Sequence, residues 1–273
     1  KTILPTSTLL SKYIAYFYVF TNEYNNSIRY ITFPSAYTGI SLFRGVNVTR
    51  GDHQINIDEK ENAKELVSVE ITGKYTQPVF INYNGDFNEI SIIFKPLGVN
   101  QFLKDDLIEY APLFSQPLKL IQWQSIAEEL LQEKTLSKQI EKLESFLLDN
   151  FREKEDHTMR KALLLIEDIE NDHTIQEIAN RCGLTLKTFQ RNFKKLLTCT
   201  PSEYKRIVRF RHSITNKMLN EAVSKLTDVA HDSMYYDQSY FIREYKKLTG
   251  TKPKIFFNRA SVLTEDKIIW QFR

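Results

Sequence analysis

An internal repeat near the C-terminus constrains the fold of this chain more than any other feature. The first copy, IQEIANRCGLTLKTFQRNFKKLLTCTPSEY, covers residues 175–204, and the second, LTDVAHDSMYYDQSYFIREYKKLTGTKPKIF, covers residues 226–256. Ile178 matches Val229 and Phe189 matches Phe241, so the offset grows from 51 to 52 and the second turn contains one extra residue. Such self-similarity indicates a repeated supersecondary unit. Each copy is typical of a helix-turn-helix: a short helix, a turn and a longer basic helix.

Local signals place the helix ends. Thr174 followed by Glu177 is a capping box, and Gly183 stands where a backbone with positive φ ends the helix. Thr185 and Asp237 are the predicted caps of the longer helix in each copy. Apolar residues then recur at helical spacing and predict one buried stripe on each longer helix: Phe189, Phe193, Leu196 and Leu197 in the first, and Phe241, Tyr245 and Leu248 in the second.

The opposite faces of the two longer helices carry polar and basic side chains. Such a face is usually only solvated, but its recurrence after a short helix and a turn favours nucleic-acid binding. The predicted DNA-binding residues are Lys187, Gln190, Arg191 and Lys194 in the first copy and Gln238, Ser239, Arg243 and Lys246 in the second, where Ile242 is also predicted to face outward.

Residues 160–259 resemble the DNA-binding domain of the AraC/XylS family of transcription regulators. The resemblance rests on the phrases IQEIANRCGL, TFQRNFKKLLTCTPSEY and DQSYFIREYKKLTGTKP. It implies two helix-turn-helix units joined by a long helix that begins at Thr200-Pro201-Ser202-Glu203, with both recognition helices entering successive major grooves of double-stranded DNA. Met234 stands where the family has a turn glycine in the second unit. Because a methionine with positive φ is strained, we expect the second turn to be shaped differently.

The charge of the chain is distributed unevenly. Residues 158–260 contain 19 Lys or Arg and 11 Asp or Glu, a net charge of +8, whereas the rest contains 18 against 23, a net charge of −5. A basic C-terminal part joined to an acidic remainder is what a polyanion-binding module attached to another domain should show.

The N-terminal part shows a different pattern. Short runs rich in β-branched and aromatic residues alternate with turn residues, which predicts an antiparallel β sandwich or small barrel. The runs are 30–33, 39–43, 54–57, 66–71, 79–83 and 89–94, and helical patterns follow from Val99. The region resembles the cupin-like effector and dimerisation domains of the same family. Its many aromatic residues are predicted to fill a closed core, although they could equally line an apolar ligand cavity.

These patterns predict an α+β chain of two domains. Residues 1–152 form a β-rich effector and dimerisation domain with C-terminal helices, and residues 153–158 form a charged linker. Residues 159–260 form the AraC-type DNA-binding domain, and residues 261–273 form a C-terminal tail. The helix from Leu136 to Phe151 has one apolar side, which either mediates dimerisation or packs on its own β domain.

Nothing in the sequence supports catalysis. No Gly-x-Ser-x-Gly, Walker loop, dinucleotide fingerprint or Cys-x-x-Cys occurs, and His53 is the only histidine before Phe151. We therefore expect no catalytic residues, no metal site and no cofactor. Cys182 and Cys199 are interpreted as small buried residues in a reducing cytosol, with a redox switch as the alternative.

Three functions remain open. The first is a cytoplasmic transcription regulator controlled by a small molecule in the N-terminal domain, and the second is a regulator whose N-terminal domain only dimerises or binds a protein. The third is a DNA-repair or modifying enzyme with an AraC-like reader. We expect a homodimer with double-stranded DNA, RNA polymerase and an unidentified small-molecule effector as partners, and no membrane association.

Overall fold

The computed structural model describes residues 1–22, 26–60, 66–154, 156–219, 226–262 and 268–271. Glu155 of the predicted linker and residues 263–267 and 272–273 of the predicted tail lie outside the described residues. The chain divides into two compact units. The first unit consists of Lys1–Tyr30, Tyr37–Lys74 and Val79–Lys154, and the second consists of Ile31–Ala36, Tyr75–Pro78 and Glu155–Arg273.

The first sheet has the strand order β1-β2-β9-β4-β7-β10. Its strands pair antiparallel. They are β1 (Thr2–Ile3), β2 (Ile14–Asn22), β4 (Thr38–Arg44), β7 (Val67–Thr72), β9 (Phe87–Phe94) and β10 (Ser115–Pro117).

The second sheet runs β3-β8-β6-β5. These strands are β3 (Ile28–Thr32), β5 (Val46–Gly51), β6 (Gln54–Glu59) and β8 (Val79–Asn84). Strands β5 and β6 form an antiparallel hairpin, but β6 pairs parallel with β8, with Ile55 opposite Ile81. The sandwich is therefore mixed, whereas the sequence predicted antiparallel pairing throughout.

Each of the six predicted strand runs overlaps a strand of the structure, although the runs 30–33 and 66–71 each extend one residue beyond it. Two long strands were not predicted, β2 and β5. Several aromatic side chains lie on β2, where Phe17 is fully buried and Tyr16 and Tyr18 are nearly so. The alternation of these side chains between the two faces of the strand explains why both faces are apolar there.

Helices cover one face of the first sheet. The helical elements of this unit are α1 (Leu10–Tyr13), a 3-10 turn (Val99–Phe102), α2 (Leu107–Tyr110), α3 (Ile121–Gln132) and α4 (Leu136–Asp149). Alternate residues of β4, β7 and β9 pack with α3 and α4 in one core, which includes Ile40, Leu42, Val69, Ile71, Ile90 and Ile92 from the sheet. The apolar side of α4 belongs to this core, with Ile140, Leu143 and Leu147 buried and Leu136, Phe146 and Phe151 packed against it. The stripe on α4 therefore packs on its own domain.

The layer between the two sheets is partly polar. Tyr83 of β8 donates to Glu89 Oε2 of β9 over 2.7 Å, and Ser91 donates to Glu89 Oε1 over 2.6 Å. Arg50 of β5 pairs with Glu70 of β7. Because a buried charge is costly without a partner, these hydrogen bonds are what allow two carboxylates to lie between the sheets.

Aromatic rings occupy the same layer. Tyr83 lies 4.5 Å from Phe87 and 5.4 Å from Phe20, measured between ring centroids, and Tyr30 stacks on Tyr83 at 6.1 Å. Burial raises the pKa of Tyr83 well above its ordinary value, and the charge of Glu89 raises this pKa further. These rings pack against one another, which agrees with the prediction that the aromatics fill a core.

The second unit is mainly helical. Its helices are α5 (His157–Glu167), α6 (Ile175–Arg181), α7 (Leu186–Leu197), α8 (Pro201–Leu219), α9 (Leu226–Asp232), α10 (Gln238–Thr249) and α11 (Pro253–Arg259). Two short strands follow, β11 (Ser261–Val262) and β12 (Ile268–Gln271), which pair antiparallel. Part of this unit's core comes from its segment Ile31–Ala36, since Phe33 is fully buried with its ring 5.0 Å from that of Phe256.

Within the described residues, none of the helices combines the length and the hydropathy that a membrane span requires.

Candidate nucleic-acid interface

The first helix-turn-helix unit has the ends that its sequence predicts. Thr174 Oγ1 accepts from the Glu177 N–H at 3.2 Å, and Glu177 Oε2 accepts from the Thr174 N–H at 2.7 Å, so the capping box of α6 is complete. Gly183 follows with φ of +70°. Thr185 then caps α7 by accepting from the Thr188 N–H. These contacts satisfy backbone donors at each helix start and fix the angle between α6 and α7.

The second helix-turn-helix unit repeats this arrangement in α9 and α10. Met234 takes the place of Gly183 and has φ of +54°, so it adopts the same left-handed conformation as the glycine despite its side chain. Asp237 caps α10 by accepting from the Tyr240 N–H at 2.6 Å. The second turn therefore does not differ from the first in its backbone conformation at Met234, although a difference had been expected. The backbone of Met234 carries the strain that a methionine with positive φ implies.

Helix α8 joins the two helix-turn-helix units. Thr200 and Glu203 form a second reciprocal capping box, with N–H to side-chain oxygen distances of 2.8 and 3.2 Å, and Pro201 occupies the first helical position, where its missing N–H costs nothing. One side of α8 is buried through Ile207, Phe210 and Ile214.

Polar contacts hold α8 to its neighbours. The Tyr204 hydroxyl donates to Glu167 Oε1 of α5 over 3.1 Å. Ser213 Oγ lies 2.6 Å from the Tyr245 hydroxyl of α10, and both residues are fully buried. Both longer helices are thus held to α8: α10 by this hydrogen bond, and α7 by the packing of the Phe193 ring 5.5 Å from that of Tyr204.

All eight predicted DNA-binding side chains are exposed: Lys187, Gln190, Arg191 and Lys194 on α7, and Gln238, Ser239, Arg243 and Lys246 on α10. The opposite faces of these helices are buried through Phe189, Phe193 and Leu197 and through Phe241, Tyr245 and Leu248. Ile242 differs from its predicted position, because it is partly buried against the core of the second unit. The structure therefore separates a polar face from an apolar one on each longer helix.

The exposed faces are basic. Helix α7 contains Lys and Arg but no Asp or Glu. Helix α10 contains one acid, Glu244, and its Oε2 accepts from Arg206 Nε of α8 at 2.5 Å. Since that carboxylate is paired away from solvent, the outward charge of α10 comes from its lysines and from Arg243, whose guanidinium lies 5.8 Å from the centroid of the Tyr240 ring. Such a surface favours contact with a polyanion.

Sequence reasoning missed one exposed feature of this face. Tyr236, directly before the cap of α10, is 93% exposed, and Met234 is 41% exposed. The signal that could have found Tyr236 is the extra residue in the second turn.

Neither Cys182 nor Cys199 forms a disulfide; Cys199 is buried and Cys182 is partly buried. Burial raises the pKa of the Cys182 thiol above its ordinary value. Across the described parts of the chain, no three His, Cys, Asp or Glu side chains are placed to hold a metal ion together.

Comparison with known proteins gives one family match. Residues 178–259 match the family of the helix-turn-helix domain. An uncharacterized HTH-type transcriptional regulator of Bacillus subtilis (strain 168), YtdP, is 30% identical over 90 residues, which are 33% of this chain and 11% of that protein. The match thus spans only a small part of the relative's length.

Among solved structures, the chain has low similarity to ToxT from Vibrio cholerae. One, at 11% identity, has a TM-score of 0.47, with 89% of this chain and 97% of that chain covered. Another, described as bound to an unsaturated fatty acid, is 12% identical with a TM-score of 0.41, and covers 88% of this chain and 93% of that chain. At this similarity they say nothing about what the present chain binds. The family match and the paired helix-turn-helix units together identify residues 178–259 of this chain as a helix-turn-helix domain.

Proposed function

We propose that this protein is a sequence-specific DNA-binding transcription regulator. The observation that carries the proposal is the pair of helix-turn-helix units in one chain, each with an exposed, basic face on its longer helix. Helix-turn-helix proteins place this helix in the major groove. The alternative of a DNA-modifying enzyme requires a reactive cysteine or a cluster of metal ligands in the N-terminal part, and the sequence has no cysteine before Cys182.

The exposed residues divide into two roles. Lys187, Gln190 and Arg191 on α7 and Gln238, Ser239 and Arg243 on α10 contact base edges in the major groove, where amide and guanidinium groups pair with adenine and guanine. Lys194 and Lys246 lie one turn further along and contact phosphates, which positions the protein without reading sequence.

The two helices read two boxes in successive major grooves. Such boxes lie about one helical turn apart, roughly 10–10.5 base pairs from centre to centre. The contacts of α8 with both α7 and α10 support this, because a shared helix limits how far the two reading helices can move independently.

The test is selection of duplexes from a random pool with the intact protein, followed by footprinting of the recovered sequences. Two protected boxes at the stated spacing are expected. Enrichment of no sequence would refute the proposed function, and a single protected box per chain would refute the two-box arrangement.

For the N-terminal unit we propose control of DNA binding by a small molecule bound between its sheets. Support comes from the polar side chains of that layer, among them the buried Glu70 and Glu89 and the partly buried Arg50, since polar ligands are oriented by a few such groups. The competing function is dimerisation or protein binding alone, which the packed rings in the same layer favour. Native mass spectrometry of protein purified from its own cells distinguishes them: a retained small molecule supports the first, and a bare chain whose DNA affinity no cell extract changes supports the second.

Self-association through the N-terminal unit is also proposed. Several large apolar side chains of that unit are exposed, including Leu4, Leu113 and Ile121 at 71%, 66% and 80%, and a linked second copy adds avidity at neighbouring sites. Sedimentation at micromolar concentration is the test of self-association, and a clean monomer would contradict it.

RNA polymerase is proposed as the partner of the DNA-bound protein.

A further inference from the structure

The turn of the second helix-turn-helix unit is one residue longer than that of the first, and the structure shows which residue is added. The Leu184 N–H donates to the Ala179 carbonyl over 3.0 Å, and at the equivalent place the Tyr235 N–H donates to the Ala230 carbonyl over 3.0 Å. In the first unit the cap Thr185 follows Leu184 directly. In the second unit Tyr236 intervenes before the cap Asp237, so Tyr236 is the inserted residue.

The fold of the unit does not use this insertion. Tyr235 fills the core position, since it is 7% exposed and its ring lies 5.0 Å from Phe241 and 6.0 Å from Tyr240. Tyr236 is 93% exposed. A single exposed aromatic is common in proteins and contributes little to stability, so the place of this one in the fold decides what it can do.

That place is the start of the second recognition helix. Tyr236 is two residues before Gln238, the first residue of α10. The N-terminal residues of a recognition helix are the part that enters the major groove, and the preceding turn then passes close to the sugar-phosphate backbone. Gln238 and Ser239, the first two residues of α10, are exposed, so Tyr236 directly precedes residues that are proposed to read bases.

We propose that Tyr236 is a DNA-contact residue specific to the second helix-turn-helix unit. Its ring packs on a deoxyribose, and its hydroxyl donates to a phosphate oxygen at the edge of the second box. This inference rests on the proposed function and extends it to a residue outside the two helices. Backbone contacts of this kind orient a protein on the duplex and carry no sequence information. The insertion therefore strengthens binding at one box without changing which bases are read.

The experiment uses duplexes recovered from a random pool by the intact wild-type chain. Affinities of wild type, Tyr236→Ala, Tyr236→Phe and the control Leu164→Ala are measured by fluorescence anisotropy, with thermal unfolding of each variant as a check on folding. Leu164 is a matched control because it is apolar, 64% exposed and located on α5, outside both helix-turn-helix units.

We expect Tyr236→Ala to weaken binding about tenfold on selected and random duplexes alike, because it removes both the ring and a hydrogen bond to a charged oxygen. Tyr236→Phe should lose part of this and L164A none. The dependence of affinity on salt should be unchanged, since no positive charge is removed. Hydroxyl-radical footprints of Tyr236→Ala should lose protection at the edge of one box only.

Two failures are distinguishable. If wild type enriches two boxes but Tyr236→Ala matches it in affinity and footprint, the contact is overturned and the proposed function stands. If wild type enriches no sequence, the proposed function fails and the contact fails with it. Should Tyr236→Ala unfold, the comparison of Tyr236→Phe with wild type decides in its place, because the ring is retained.

Discussion

Arg206 Nε donates a hydrogen bond to Glu244 Oε2 over 2.5 Å, and this contact ties the linking helix α8 to the second recognition helix α10. The two side chains are only 20% and 13% exposed. The pair therefore does two things: it fixes one helix on the other, and it removes the only carboxylate of α10 from the face proposed to meet DNA.

Replacing Glu244 by Ala should lower the free energy of unfolding by about 1–3 kcal/mol, because the partly buried Arg206 guanidinium loses its partner. The matched control is Arg243→Ala, next along the helix and exposed, which should leave stability within about 0.5 kcal/mol of wild type. Urea unfolding followed by helical circular dichroism measures both. Equal values for the two variants would contradict the structural role of the ion pair.

Gly183 should be sensitive to substitution for backbone reasons alone. Its φ is +70°, and an added Cβ would meet no heavy atom within 4 Å. Gly183→Ala should therefore cost about 1 kcal/mol or slightly more from the left-handed conformation without any steric clash. Gly183→Asn should cost less, since asparagine tolerates this conformation. If Ala and Asn prove equally costly in chemical denaturation, strain at this φ is not the cause.

Glu167 should make stability fall as pH rises. Burial raises the pKa of its carboxyl above the ordinary 4.5, and the hydrogen bond from Tyr204 opposes this only in part. Between 4.5 and the raised pKa the native state binds more protons than the unfolded chain, so the free energy of unfolding decreases with pH in that window. Glu167→Gln removes this dependence and keeps an oxygen for the Tyr204 hydroxyl.

The Gln variant should thus gain stability relative to wild type as pH rises through the window, and the gain should level off above it. Tyr204→Phe should steepen the wild-type dependence, because the bond that lowers the Glu167 pKa is lost. Unfolding midpoints measured across acidic to neutral pH give the comparison. A Gln variant parallel to wild type at every pH would refute the assignment.

Gln190 and Lys194, one turn apart on α7, should differ in the kind of DNA binding they support. Gln190→Ala should cost about 1–3 kcal/mol on the specific site and little on random duplexes, as expected for a base contact. Lys194→Ala should weaken both similarly and reduce the salt slope of binding by about 1. Titrations of both duplexes at several salt concentrations test this. If Gln190→Ala loses the same binding free energy on specific and random DNA, Gln190 does not contact a base.

The sequence alone determined most of the C-terminal architecture. Helix ends there depend on local chemistry: the capping boxes at Thr174 and Thr200, the caps at Thr185 and Asp237, and the glycine at 183 all act over three or four residues. Local interactions of this range can be predicted from the amino-acid sequence alone. The exposure of the eight predicted DNA-binding side chains follows from helical periodicity in the same way.

Tertiary structure decided what periodicity could not. Only the packed fold shows that the apolar stripe of α4 is used inside its own domain, that β6 and β8 run parallel, and that Ile242 turns partly inward. Each depends on partners far away in sequence, whose contacts no local pattern specifies. The pairing of Glu244 with Arg206 and the exposure of Tyr236 beside a buried Tyr235 are of the same kind, because a side chain's surroundings are set by whichever elements the folded chain brings against it.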